Sequence, residues 1–299
     1  MKYTLSILIV CLFVTGHAQN YFEIAKVSYT NTPQNDFEIS DVQTTVEELA
    51  MELNFPIVIN DKTVLLTGLY VNKTKLKLDA NVPNSNLNVL GFNVGVNTAF
   101  NDKWSATFMI FPKIASDELK ITGKNMQLAL LSLFTNKKRE NLKYKYGIYA
   151  NTENYGLIIV PIIGLYYVST NQKFEANLNL PIIADLNYKI DKKMWLGMKF
   201  DGLGTTYNLM DQNYSDNGVY VSKTSNELLS YLRFQISQSL FINTKVGYAI
   251  SRNYEVYDAK DKISFALTNI YFGDNRTQLN ERFKDGAIFK IELLYRINL

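Results

Sequence analysis

The chain ends in AIFKIELLYRINL, residues 287–299, where two kinds of side chain alternate. The odd-numbered positions are all apolar: Ala287, Phe289, Ile291, Leu293, Tyr295, Ile297 and Leu299. The even-numbered positions carry every charge of the segment and are Ile288, Lys290, Glu292, Leu294, Arg296 and Asn298. Because successive side chains of a β-strand point to opposite faces, the segment predicts a strand with one wholly apolar face.

The same two-residue period recurs upstream, in residues 90–97, 142–149, 173–180, 184–190 and 240–251. Short polar turns at 60–62, 101–103, 136–141, 169–172, 191–193 and 237–239 separate the strands. Longer polar stretches at 72–86, 114–124, 202–226 and 253–285 lie between these turns. Alternation of tight turns with long loops is typical of transmembrane β-barrels, whose short turns face the periplasm.

Counting hairpins predicts an all-β fold, a closed antiparallel up-and-down transmembrane barrel of about 14 strands. The first strand is expected at Phe22–Thr30, and loss of the hairpin near Pro181 would leave 12 strands. No domain boundary or repeat beyond the hairpin is visible in the chain.

The N-terminus has the pattern of a secretory signal peptide. Lys2 is followed by the short apolar run Leu5–Val14 and by small residues that predict cleavage after Ala18. The expected domains are therefore a signal peptide at 1–18 and a barrel at 19–299. An outer-membrane location follows from export combined with the strand pattern.

The only cysteine and the only histidine, Cys11 and His17, both lie in the segment expected to be removed. The mature chain would therefore lack thiol nucleophiles, imidazole bases and the usual zinc ligands. We predict no enzyme, no cofactor and no metal site, although a hydrolase that uses a carboxylate pair stays an alternative. A net charge of +3 gives no reason to expect a nucleic-acid partner.

Polar side chains on the less apolar strand faces are the candidates for the barrel lumen. The foremost candidates are Lys143, Lys145, Glu175, Asp185, Lys189, Arg233, Lys245, Lys290, Glu292 and Arg296. Glu48, Glu52, Lys199, Asp201 and Glu227 belong to the same set. A barrel of 14 strands is too wide for apolar side chains to fill, so the apolar faces are expected to meet lipid.

The candidate lumen charges nearly balance, with seven acidic and eight basic groups in the set. A selective pore would show one dominant sign, so the mixture favours an ion-pair network that partly fills the interior. Lys143 and Lys145 form the best local basic patch. Tyr21, Phe22, Phe100, Trp104 and Trp195 stand near predicted membrane edges, where aromatic side chains concentrate.

These features together resemble bacterial outer-membrane β-barrel proteins, in particular the uncharacterised, domain-of-unknown-function barrel families of flavobacteria-like Gram-negative bacteria. The resemblance implies outer-membrane lipid as a partner, and insertion by the outer-membrane assembly machinery through the C-terminal strand. It implies a location and no specific activity.

Two functions without catalysis are compatible with this sequence. The first is a porin-like or transporter-like barrel for the passive passage or uptake of small solutes. The alternative is a non-conducting structural or partner-binding barrel that uses long loops such as 253–285. Filling of the lumen is the feature that separates them.

Overall fold

The computed structural model describes residues 21–210, 214–215 and 217–298. The expected signal peptide, with Cys11 and His17, lies outside the described residues. Within the described ranges, no helix has the length and apolar character needed to span a membrane.

Fourteen long strands form the wall, and each pairs antiparallel with its neighbours in chain order. They are β1 (Tyr21–Asn31), β4 (Glu47–Asn60), β5 (Thr63–Lys77), β6 (Asn84–Ala99), β7 (Trp104–Ser116), β8 (Met126–Arg139), β9 (Leu142–Glu153), β10 (Gly156–Val168), β11 (Phe174–Leu180), β12 (Ile183–Asp191), β13 (Met194–Leu209), β14 (Val219–Gln235), β15 (Leu240–Asp258) and β18 (Gly286–Asn298). The register Tyr21↔Asn298 joins the last strand to the first and closes the ring. The predicted closed barrel of 14 strands is confirmed.

Four short strands lie in the connections. β2 (Asn35–Asp36) and β3 (Gln43–Thr44) pair in the β1–β4 loop. β16 (Phe265–Leu267) and β17 (Ile270–Phe272) form a hairpin in the β15–β18 loop, and β16 pairs in parallel with β10 at Ile158 and Ile159. We call the side with these loops the loop end and the opposite side the short-turn end.

The outer surface is apolar and the inner surface is mainly polar, as the last strand shows. Phe289, Ile291 and Tyr295 are 46–52% exposed, whereas the alternating Glu292 and Leu294 are at most 5% exposed. Since apolar side chains exposed on a closed wall are what lipid requires, the outer face has the character of a membrane-spanning surface.

The predicted alternation of short turns and long loops fails at one unexpected place on the loop end, where only two residues join β9 to β10, between Glu153 and Gly156. The tight hairpin predicted near Pro181 is confirmed, because two residues join β11 to β12, between Leu180 and Ile183. The predicted long loops are also shorter than expected, because strands run into them: β5 reaches Lys77 and β13 reaches Leu209. Polar side chains at the end of β5, and side chains buried on both faces at the end of β13, hide the two-residue period at these strand ends.

The loop-end halves of β13, β14 and β15 leave the wall and cross the barrel mouth. Residues Val219–Lys223 of β14 are at most 7% exposed although successive side chains point to opposite faces. Asn208 of β13 pairs in parallel with Ser116 of β7, which lies six strands away in the wall. The interior is therefore filled at the loop end.

An apolar cluster packs under this crossing. It joins the crossing strands to β5, β6 and the loops, through Leu76, Leu87, Val89, Tyr207, Val221, Tyr254, Val256 and Phe283 among others. We call the crossing strand ends with this cluster the cap.

Candidate functional site

Ion pairs connect the inner faces of neighbouring strands. Lys245 Nζ lies 2.7 Å from Glu292 Oε1, and Lys290 Nζ lies 3.1 Å from Glu227 Oε2. These side chains come from β14, β15 and β18, and each is nearly buried. Four of the predicted lumen candidates are thus brought together as two pairs.

One ion pair spans the interior rather than following the wall. Lys223 Nζ of β14 lies 2.7 Å from Glu48 Oε2 of β4, and three strands separate β14 from β4 in the ring. Such a contact can form only through the lumen, which places these charges inside. Further pairs on the inner face are Lys26–Glu52, Lys199–Asp201 and Arg296–Glu23.

A single carboxylate holds the edge of the cap. Glu153 of β9 accepts hydrogen bonds at Oε2 from the backbone N–H (2.6 Å) and the hydroxyl (2.5 Å) of Thr206 in β13. Its Oε1 lies 3.2 Å from Lys113 Nζ and also accepts from Asn151. The Glu153 side chain is fully buried, so this contact ties β13 to the far wall.

A second tether lies outside the wall, at the loop-end tip of β15. Asp258 accepts hydrogen bonds from the hydroxyl of Ser215, the backbone N–H of Lys260 and the amide of Asn217. These donors, the Ser215 hydroxyl foremost, lower the pKa of Asp258 to about 2. The carboxylate therefore stays charged at neutral pH and holds the β13–β14 connection to β15.

Four predicted lumen cations have no carboxylate within 4 Å among the described residues: Lys143, Lys145, Lys189 and Arg233. Lys145 donates to Asn177 at 2.7 Å, and Lys189 stands 5.1 Å from the ring centre of Trp195. The acidic and basic lumen residues are nearly equal in number over the whole inner face, as the sequence predicts, but they are not balanced around these four cations.

The two remaining acidic candidates contact tyrosines. Glu175 accepts a hydrogen bond from Tyr21 at 3.4 Å, and Asp185 accepts one from Tyr231 at 2.6 Å. Tyr231 is in turn the acceptor for Arg233 at 3.3 Å. The contact of any of these residues with a solute stays a prediction.

A cavity of about 290 Å³ lies at the short-turn end of the interior. Four cations and one carboxylate line it, namely Lys173, Lys189, Arg233, Arg296 and Glu175. Aromatic side chains complete the wall: Tyr21, Tyr166, Trp195 and Phe241. Lys173 lies in the exposed β10–β11 turn, so the cavity reaches the surface there. We call it the vestibule.

The vestibule corrects two sequence-based expectations. Tyr21 and Trp195 were expected at the membrane edge, but both line the interior, because each lies on the inward phase of its strand. Phe100 and Trp104 are 53% and 40% exposed beside a short turn, in agreement with the expectation.

Five charges of the interior ion pairs were not among the predicted lumen residues: Glu23, Lys26, Lys113, Glu153 and Lys223. Lys223 fell in a predicted loop, and a bulge between Glu23 and Ala25 interrupts the alternation of β1.

The profile of a protein family described as Domain of unknown function (DUF6268) matches residues 14–295. The chain belongs to this family. No curated protein sequence matches this DUF6268 protein.

Several solved structures are similar to the DUF6268 barrel. The COG4313 outer membrane channel from Pseudomonas putida F1 has 10% identity and a TM-score of 0.49, over 95% of this chain and 98% of that one. The toluene transporter TodX of P. putida has 7% identity and a TM-score of 0.41, over 94% and 91%. The translocator domain of the autotransporter NalP from Neisseria meningitidis has 10% and 0.38, over 94% and 91%.

Proposed function

We propose that this DUF6268 protein is an outer-membrane barrel that admits or passes small solutes and is not an enzyme. The proposal rests on the contrast in polarity between the outer and inner faces of the barrel wall. An apolar outer face surrounds a closed wall, while the inner face holds charged side chains and a vestibule that reaches the surface. A structure of this kind places a wet interior inside a lipid-facing wall.

The cap must move for a solute to pass, because the loop end of the interior is filled. Glu153 joins the moving edge of β13 to the far wall, which makes it the contact whose loss should favour opening. Removing one partner of a buried charged contact costs about 3–5 kcal/mol. We therefore expect Glu153→Gln to increase the open fraction of the channel by at least about tenfold.

Single-channel recording in planar lipid bilayers tests this function. Wild type should show rare openings and Glu153→Gln frequent ones, while Glu140→Gln, which removes an exposed turn carboxylate, should match wild type. Silence of all three proteins, in bilayers where their insertion is verified by protease protection, would contradict solute passage.

The filled loop end favours a second function, a non-conducting barrel that binds a partner. The β15–β18 connection, which contains β16 and β17, is the longest loop and contributes Phe283 to the cap. A barrel that stays silent, and that loses capture of a surface partner when residues 260–275 are deleted, would support this function.

Location and partners belong to the same proposal. Outer-membrane lipid around the apolar face and assembly through β18 are consistent with the exposed apolar side chains of that strand. Cleavage of the signal peptide after Ala18 and an origin in flavobacteria-like Gram-negative bacteria rest on the sequence pattern. Fractionation of cells that express the full chain, with N-terminal sequencing, tests the location and the cleavage.

A further inference from the structure

We infer that the vestibule binds small solutes through a carboxylate or phosphate group. Anions of this kind would be the solutes that the proposed function carries. Anion binding requires only the vestibule, whereas anion transport rests on the proposed function.

Positive charge is in excess on the wall of the vestibule. Lys173, Lys189, Arg233 and Arg296 line the vestibule, and Glu175 is the single carboxylate among the lining side chains. Arg296 also pairs with Glu23 at 3.1 Å, so even with that carboxylate included the cations exceed the acids by four to two. Lys245 and Lys290 on the inner face have carboxylate partners, whereas Lys143 and Lys145, which have none within 4 Å among the described residues, lie at the short-turn end of β9. The excess is therefore local to this end.

Arg233 is a buried cation of the vestibule wall that has no carboxylate in direct contact within 4 Å among the described residues. It is 4% exposed, and its guanidinium donates to Asn243 Oδ1 at 3.0 Å and to the hydroxyl of Tyr231 at 3.3 Å. Fully buried arginines are rarely left without an anionic partner. A guanidinium has five N–H donors in a planar fork that matches the oxygens of a carboxylate or phosphate. A solute anion would supply the direct counter-charge, which Asp185 provides only through the hydroxyl of Tyr231.

The turns around the vestibule also carry more positive than negative charge. The short-turn end carries eight cations: Lys62, Lys103, Lys137, Lys138, Arg139, Lys173, Lys192 and Lys193. It carries four acids: Asp61, Asp102, Glu140 and Asp191. Clustered charge of one sign around a low-dielectric mouth raises the local concentration of counter-ions. Anions are thus attracted toward the same end at which the vestibule lies.

Size limits the solute. The cavity volume of about 290 Å³ lies at the small end of the ~300–1,000 Å³ that small-molecule sites span. A charged monosaccharide fits this volume, whereas a long chain would have to extend into the turn region. Trp195 lines the cavity and supplies a built-in optical reporter.

Fluorescence of Trp195 tests the inference. The chain has two tryptophans, so Trp104→Phe leaves Trp195 as the only emitter. The full-length protein in detergent micelles would be titrated with glucuronate, with glucose 6-phosphate and with neutral glucose. We expect a saturable change with at least one charged sugar, which then identifies the group recognised, and none with glucose. Isothermal titration calorimetry of the same samples detects binding that leaves the emission unchanged.

Variants of the lining residues should change the affinity for the charged sugar in opposite directions, according to the sign of the charge removed. Lys189→Gln should weaken the affinity for the charged sugar by about tenfold, since it removes an attractive charge from the cavity wall. Arg233→Gln should weaken it at least as much, and Arg233→Lys keeps the charge where the glutamine variant fails to fold. Glu175→Gln should tighten binding. Lys145→Gln is the matched control, because Lys145 is an interior cation outside the vestibule.

Three results would overturn the inference: no saturable binding by either method, equal binding of glucose, or equal loss in Lys145→Gln and Lys189→Gln. Bilayer recording separates this outcome from failure of the proposed function. A barrel that binds the anion and never conducts would support the anion site and contradict solute passage. A barrel that conducts without binding the anion would support solute passage and contradict the anion site.

Discussion

Glu292 shows how a buried carboxylate organises the inner face. Its Oε1 pairs with Lys245, and its Oε2 accepts a hydrogen bond from Asn243 at 2.9 Å. Asn243 in turn accepts from Arg233 at 3.0 Å. One carboxylate therefore neutralises a lysine whose side chain is 2% exposed and orients the amide that holds an arginine.

Glu292→Gln should lower the free energy of unfolding by about 3–5 kcal/mol, because it leaves the ammonium of Lys245 buried without a counter-charge. Equilibrium unfolding in urea from lipid vesicles measures the change. Glu140→Gln is the control, since its ion pair with Lys137 is exposed and such pairs contribute about 0–1 kcal/mol. Equal effects of the two variants would show that Lys245 is solvated inside the barrel.

Alternation in the sequence predicted which charges share a strand face, but it could not predict their partners. Lys290 and Glu227 lie on different strands whose relative register depends on every turn between them. The excess of cations near Lys189 and Arg233 was hidden for the same reason. The net charge of all predicted lumen residues is close to zero, and only the strand register shows that most of the acidic residues lie away from these cations.

Among the shorter elements, the β16–β17 hairpin depends on Arg276. The guanidinium carbon of Arg276 lies 4.7–4.8 Å from the ring centres of Tyr155, Tyr257 and Tyr271. Asp274 binds the same guanidinium through two hydrogen bonds of 2.8 and 2.7 Å. The hairpin is thereby held against β9, β10 and β15.

Arg276→Ala should speed amide hydrogen exchange across residues 263–272 by about tenfold or more, because each cation–π contact contributes on the order of 0.5–2 kcal/mol. The amide of Thr268, which donates to the carbonyl of Ile159 at 2.9 Å, is the most direct reporter. Exchange followed by mass spectrometry measures the effect. Arg282→Ala, in the same loop, should leave these amides unchanged, and an equal effect there would indicate general loosening of the loop.

The long strands were predictable where an apolar belt enforces alternation, and poorly predictable beyond it. Residues 219–223 of β14 have buried side chains on both faces, so no period of two marks them. The tight hairpin between β9 and β10 is likewise invisible, because Asn154 and Tyr155 resemble the polar and aromatic residues around them.

The apolar belt is the feature that places the complete barrel in lipid, and it can be tested by depth. Ile291 lies near the middle of β18 and is 52% exposed, whereas Ile59 lies beside a short turn and is 59% exposed. Ile291→Arg should lower the free energy of unfolding by about 2–4 kcal/mol in vesicles, and Ile59→Arg by about 0–1 kcal/mol, since the cost falls toward the interface.

Urea unfolding of both variants from vesicles measures the difference. A soluble barrel would tolerate the two arginines equally, because both positions would then face water. Equal effects would therefore exclude the membrane-spanning orientation.

The closed ring of 14 strands followed from counting hairpins, while the cap did not. Crossing of the mouth by β13, β14 and β15 depends on contacts such as Gln127 to the carbonyl of Thr206, between residues far apart in the chain. No local pattern encodes contacts of this kind. The sequence therefore predicted a lumen partly filled by ion pairs, but not the strand crossing that fills its loop end.

The seam between β1 and β18 also determines the order of assembly. One edge of β1 can pair with β4 as soon as both strands have been made, whereas its other edge pairs with residues 289–298 and cannot do so until β18 has been made. Until then both margins of the curved sheet expose unpaired backbone groups, which are costly in lipid. The ring therefore cannot close before β18 has been made, and a nascent chain that stops before β18 would remain an open, aggregation-prone sheet.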